Sequence, residues 1–278
     1  MILRAATLCI ILSACSLKVL GQPAAVNVVL ASNETKPYIV QVEIANHTFS
    51  GPDEISSGWT TLSLTNHSDE HHLMMTHKLP QGVSLQDATA ALENWKKNRE
   101  PAEWWSEEGG RYGGQGLLAP GKTGLVTIFL EPGIYSLVCG FTSEDGTPHF
   151  DKGVPSYLRV TSESNGAPEP PADYEIFFEN KGITTDKPVV AGHHTFKELF
   201  DTWHDVQLAR LTEDVNIKNL KDWLPEWKSP TPVPFIGGLE PLEPGRIAYF
   251  TVAVTPGRYA WVCSKHPKDQ VIQSFTIK

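Results

Sequence analysis

Apolar and polar residues alternate along Tyr38 to Ala45 and again along Thr60 to Thr65. A period of two predicts half-buried strands. Gly124 to Leu130 reads as another strand, followed by a Pro132-Gly133 turn and a strand over Tyr135 to Cys139. Near the C-terminus, Ile247 to Val254, Pro256-Gly257 and Tyr259 to Cys263 repeat that order. One stretch has helical spacing instead: Leu85 to Lys97 places Ala88, Ala91, Leu92 and Trp95 on one face. A shorter counterpart lies near Val215 to Trp223. Evenly spaced short strands with turn punctuation predict Greek-key β-sandwiches, with the helices as short excursions between strands.

The pattern occurs twice. Pro120-Gly121, Pro132-Gly133, Tyr135, Val138 and Cys139 match Pro244-Gly245, Pro256-Gly257, Tyr259, Val262 and Cys263 at equal spacing. His72 precedes Leu79 as His204 precedes Leu211, and Gly109-Gly110 and Gly237-Gly238 precede the two Pro-Gly blocks. Ordered coincidences of this kind predict a tandem duplication. Residues 161–173 lack apolar periodicity and are rich in Pro, so they read as a semi-rigid linker. The domains are then 25–160 and 174–278.

The N-terminal segment, residues 1–21, differs in kind. A single Arg4, an apolar stretch and small residues describe an export signal. Leu12-Ser13-Ala14-Cys15 resembles a bacterial lipobox, which makes Cys15 the lipidation site and the cell envelope or periplasm the destination. Cleavage near Gly21 and simple secretion is the alternative. Asn33, Asn46 and Asn66 begin Asn-x-Ser/Thr triplets, which matter only in a eukaryotic secretory pathway.

Composition narrows the function. With 40% hydrophobic and 20% charged residues in a chain of 278, there is enough apolar material for sizeable cores. A formal net charge of -9 argues against nucleic acid as a partner. Four cysteines are too few for a disulfide scaffold. The Gly-rich run from Gly109 to Gly116 lacks phosphate-loop and dinucleotide spacing and reads as a loop.

Each half contains one set of residues suited to chemistry: His72, Cys139 and His149 in the first, His204, Cys263 and His266 in the second. Two imidazoles and a thiolate suit copper in both of its oxidation states. His71 competes with His72 as a ligand. His193 and His194 read as surface or packing residues, and His47, His67 and His77 as solvent-facing. The tryptophans read as core or capping aromatics. The two later cysteines could instead pair as a disulfide, given a packing that brings them together, or be inert buried thiols.

With these residues in view, both halves resemble cupredoxins, the plastocyanin- and azurin-type blue copper domains. The matching segments are Asn66 to His72, Pro132 to Cys139 and Gly146 to Val154, then His204 to Leu208 and Cys263 to His266. The second half has the plastocyanin Cys-to-His spacing; the first has a longer loop. The resemblance implies two tandem cupredoxin-like sandwiches with copper ligated by the residues named above. It also implies an axial methionine, but Val154 and Val271 stand at those places and cannot ligate. Met74, on the His72 face, is a conceivable substitute.

The sequence thus predicts an exported copper-binding electron-transfer protein with a basic redox partner, and not an enzyme. A copper oxidase or nitrite reductase would need further ligands, and neither a His-x-His pair nor a histidine beside Cys139 or Cys263 occurs. An envelope lipoprotein whose domains have lost copper and serve as binding modules is the alternative.

Overall fold

A computed structural model describes residues 36–100, 102, 110–179, 182–215, 217–266 and 271–278. The export segment 1–21, Cys15, Asn33, Trp104 and Trp105 lie outside the described residues. In the first half the elements are β1 (Ile39–Ala45), β2 (Thr48–Ser50), β3 (Glu54–Asn66), β4 (His72–Lys78), α1 (Leu85–Asn98), β5 (Arg111–Leu118), β6 (Thr123–Leu130), β7 (Gly133–Val138), α2 (His149–Lys152) and β8 (Ser156–Ser164). In the second they are β9 (Tyr174–Glu179), β10 (Gly182–Thr185), β11 (Gly192–Leu199), β12 (Val206–Leu211), α3 (Ile217–Trp223), β13 (Phe235–Leu239), β14 (Ile247–Val254), β15 (Gly257–Val262) and β16 (Ile272–Ile277). The class is all-β, as the alternation predicts.

The pairing recurs between the halves. β1 runs antiparallel to β2 and parallel to β3; β9 runs antiparallel to β10 and parallel to β11. β3 pairs with β6 as β11 does with β14, and β4 lies between β5 and β7 as β12 lies between β13 and β15. The halves then share both layers. β6 pairs with β14 in one layer and β5 with β13 in the other. β3 serves both layers, since its first residues pair with β8 and its later ones with β6.

Burial follows the period of two. β1 points Val40, Val42 and Ile44 inward and leaves the intervening residues exposed. They meet Leu62, Leu64, Val126 and Ile128 in one continuous core. Each such side chain contributes about 1.5–3 kcal/mol on burial. α1 begins with a capping box: Ser84 Oγ accepts from the Asp87 N–H, and the Asp87 carboxylate accepts from the Ser84 N–H. Its Ala88 and Leu92 face the core.

Two expectations are corrected. The Gly-rich run is no loop: Arg111–Leu118 is strand β5. Gly114 belongs there because a side chain would collide with the Met74 carbonyl of β4, and Gly238 of β13 stands in the same way against the Val206 carbonyl of β12. The structural counterpart of Gly237-Gly238 is therefore Gly113-Gly114, not Gly109-Gly110. The start of the expected linker, Thr161 to Ser164, is the end of β8.

Candidate metal centre

The first set of residues converges. Asn66 closes β3 and fixes the loop that follows: its amide donates to the carbonyls of Glu70 (2.9 Å) and Leu118 (3.0 Å), and its Oδ1 accepts from the Ser68 N–H (2.9 Å). That loop delivers His72 fully buried at the start of β4. Cys139 follows β7 and is also buried. The longer loop after it folds back, because the His149 N–H donates to the Phe141 carbonyl and the Phe150 N–H to the Cys139 carbonyl. His149 therefore enters the same interior from the first turn of α2. His72 Nδ1 and His149 Nδ1 stand 3.0 Å apart, and Cys139 Sγ is 3.5 Å from His149 Nδ1. Donors at bond lengths of about 2.0–2.3 Å from one shared point have separations of this size.

The electrostatics suit a cation. Burial and the neighbouring His149 and His47 hold His72 down to about 2. Burial likewise holds His149 down to about 3, so both rings are neutral at pH 7 and keep a lone pair. Burial pushes the Cys139 thiol up to about 12, against the pull of the Leu73 and Phe141 N–H groups that face its sulfur. A metal bound there would displace the thiol proton. The outer nitrogens of both rings, His72 Nε2 and His149 Nε2, are buried without a hydrogen bond; Glu70 Oε2 is 3.3 Å from His149 Nε2 but out of line for one.

One member of the cluster is not in the expected set. His47 has ligand atoms within 4.8 Å of those of His72 and His149, and the three could hold a metal ion. Its ring centroid is 4.6 Å from that of His149 and 5.3 Å from that of His72. Its expected solvent-facing position is corrected, as is that of His77, which is buried. His67 is half-exposed. His71 turns instead to Thr231 Oγ1, at 3.2 Å from Nε2. Met74 is buried in the hydrophobic core, and Val154 is 64% exposed. His194 packs on Tyr174 near Asp173.

The second set, His204, Cys263 and His266, does not assemble in the same way. Cys263 Sγ lies 3.2 Å from His266 Nδ1. His204, however, has both nitrogens engaged: Nε2 with Glu198 Oε1 at 2.6 Å, and Nδ1 with the Thr202 carbonyl at 3.1 Å. Its ring stacks on Phe178 (4.2 Å) and Phe200 (5.0 Å), and Phe178 also meets His266 at 5.4 Å. Backbone bonds explain the difference. Asn66 bonds to Lys122 and Gly121 as Phe200 bonds to Arg246 and Gly245, so Phe200 stands where Asn66 does. From there the chain takes six residues to reach His72 but four to reach His204. Val271 is buried, its carbonyl accepting the Cys263 N–H. Cys139 and Cys263 are both free thiols, which removes the disulfide reading.

Among the described residues no helix is long and apolar enough to cross a membrane. No family model matches the chain, and no curated protein does. Similar solved structures include a dithionite-reduced auracyanin from Roseiflexus castenholzii, 18% identical, covering 46% of this chain and 98% of that one with a TM-score of 0.30. Auracyanin A, a blue copper protein from Chloroflexus aurantiacus, is 18% identical over 45% of this chain and 100% of its own, with a TM-score of 0.31. A copper nitrite reductase from Nitrosomonas europaea is 14% identical over 87% of this chain and 94% of its own, with a TM-score of 0.28. A multicopper oxidase is 13% identical over 87% and 89%, with a TM-score of 0.25. The expectation that this chain is not an enzyme is corrected here: two structures aligned over most of it are enzymes by name, so catalysis is not set aside.

Proposed function

We propose that the first half holds one copper ion through His72 Nδ1, His149 Nδ1 and Cys139 Sγ, and that the protein uses it to accept and pass on single electrons. The observation that carries this reading is the convergence of those three donors: 3.0 Å between the imidazole nitrogens and 3.5 Å from sulfur to the second of them. Copper supplies the one-electron Cu(II)/Cu(I) couple, and a site acceptable to both states keeps rearrangement small. The chain holds the donors in a buried place, and the N–H groups of Leu73 and Phe141 favour the thiolate.

On this reading the halves descend from a tandem duplication, and the second has exchanged its metal for a Glu198–His204 pair packed on phenylalanines. The Leu12-Ser13-Ala14-Cys15 run supports export and a lipid anchor, and the acidic balance suits a basic redox partner.

The test is titration of the purified protein with Cu(II). One equivalent is expected to bind and to give an intense visible thiolate-to-copper band. Cys139→Ser abolishes the band, whereas Cys263→Ser leaves it in place. A protein that develops no such band, or loses it only with Cys263→Ser, would refute this reading.

A further inference from the structure

The three donors leave copper without an axial partner from the expected place, since Val154 is exposed and has no donor atom. Met74 is committed to the core and His71 to Thr231. Among the described residues the remaining imidazole of the cluster is His47. It sits in a two-residue hairpin turn: Ala45 pairs with Thr48, and Asn46 and His47 between them have φ of 49° and 62°. Such turns need positive φ at both central residues, which favours Asn and then Gly. A histidine in Gly's place carries a conformational cost of about 1 kcal/mol. Non-glycine residues held in such a conformation cluster at functional sites.

The surroundings fit a ligand. His47 Nδ1 is buried without a hydrogen-bond partner. Glu70 Oε2 lies near the Nε2 of both His47 and His149, at 3.8 and 3.3 Å. Gly153 gives the turn its room, because a side chain there would collide with the His47 carbonyl. The second half, where the metal set does not assemble, has Asn180-Lys181 in the corresponding stretch between Glu179 and Gly182, with no imidazole.

We propose that His47 is a fourth copper donor, reaching the metal from the β1–β2 turn in place of the missing methionine. This rests on the copper reading above. A fourth nitrogen donor favours Cu(II), so this centre has a lower potential than a three-donor centre of the same His and Cys residues.

The experiment compares Cu(II) titrations of the full-length protein and of His47→Gly, followed by visible absorption and electron paramagnetic resonance. Glycine suits the turn's positive φ, so this variant keeps its fold; its urea midpoint checks that. The variant is expected to retain the thiolate band through Cys139, but at a shifted wavelength, with an altered copper hyperfine coupling and at least tenfold weaker Cu(II) binding. Added imidazole, filling the vacated place, is expected to restore the original spectrum, which a merely structural role for His47 would not allow. An unchanged spectrum and affinity in His47→Gly would overturn the fourth-donor assignment while leaving the copper reading intact. Absence of a thiolate band in the unsubstituted protein would remove both.

Discussion

His72 begins β4 and His204 stands two residues before the corresponding β12, yet their neighbours send them to different ends. In the first half Leu64 is an apolar core residue two places before Asn66; in the second Glu198 stands two places before Phe200 and takes His204 Nε2 in a buried contact of 2.6 Å. Burial raises the Glu198 carboxyl, and the His204 hydrogen bond opposes that shift. Glu198→Leu therefore strands a buried imidazole nitrogen. The expected loss is about 1–3 kcal/mol in urea unfolding, and an unchanged midpoint would show that the pair contributes nothing net. The candidate ligands of the first half were legible because Cys139 and Cys263 stand at the same offset from their Pro-Gly and Tyr positions, with a histidine before and after each. His47 was less so. Its signal was an Asn-His pair at the end of an alternating run, where Asn-Gly would be the ordinary turn. Nothing local in the sequence says that a turn between the first two strands will face a loop a hundred residues later.

At the scale of elements, β4 and β5 approach so closely that only glycine fits at position 114. Its Cβ would meet backbone, which cannot swing aside as a side chain can. Gly121 has a φ of 68° but open space around it. Gly121→Ala is expected to cost about 1 kcal/mol from its backbone conformation alone. Gly114→Ala is expected to cost about 3 kcal/mol or more, since overpacking adds to the conformational penalty. Equal urea midpoints for the two variants would contradict the close approach. Strands such as Ile39–Ala45 and the helix Leu85–Asn98 were readable from their periods. β5 was not, because glycines carry no apolar period and resemble a turn until a neighbouring strand requires them.

For the whole molecule, the halves meet through paired strands and a buried polar group. Gln207 donates to Glu240 and Asp205 (both 2.8 Å) and accepts from the Leu117 N–H of β5. Glu240 is fully buried, and desolvation pushes its carboxyl up to about 7 despite Lys265. The folded protein then holds this proton more tightly than the unfolded chain does. Its contribution to stability falls as pH rises from about 4.5 to about 7 and is level above that, a change on the order of 3 kcal/mol. Glu240→Gln is expected to remove this slope from the pH dependence of thermal unfolding. An identical slope in both proteins would mean that Glu240 ionises normally. The repeated spacing of Pro-Gly, Tyr and Cys was visible in the sequence, but the sharing of both layers was not, since either half alone is a plausible sandwich.

That sharing has a consequence for how other proteins can approach. At one end β3 stitches the two layers together; at the other, β10 and β16 touch. Among the described strands β2, β10 and β16 pair on one side only, and these edges are short, of three, four and six residues, which gives a foreign strand little to extend. Recognition of this molecule therefore falls to its turns and the side chains they carry, and the β1–β2 turn that bears His47 is one of them.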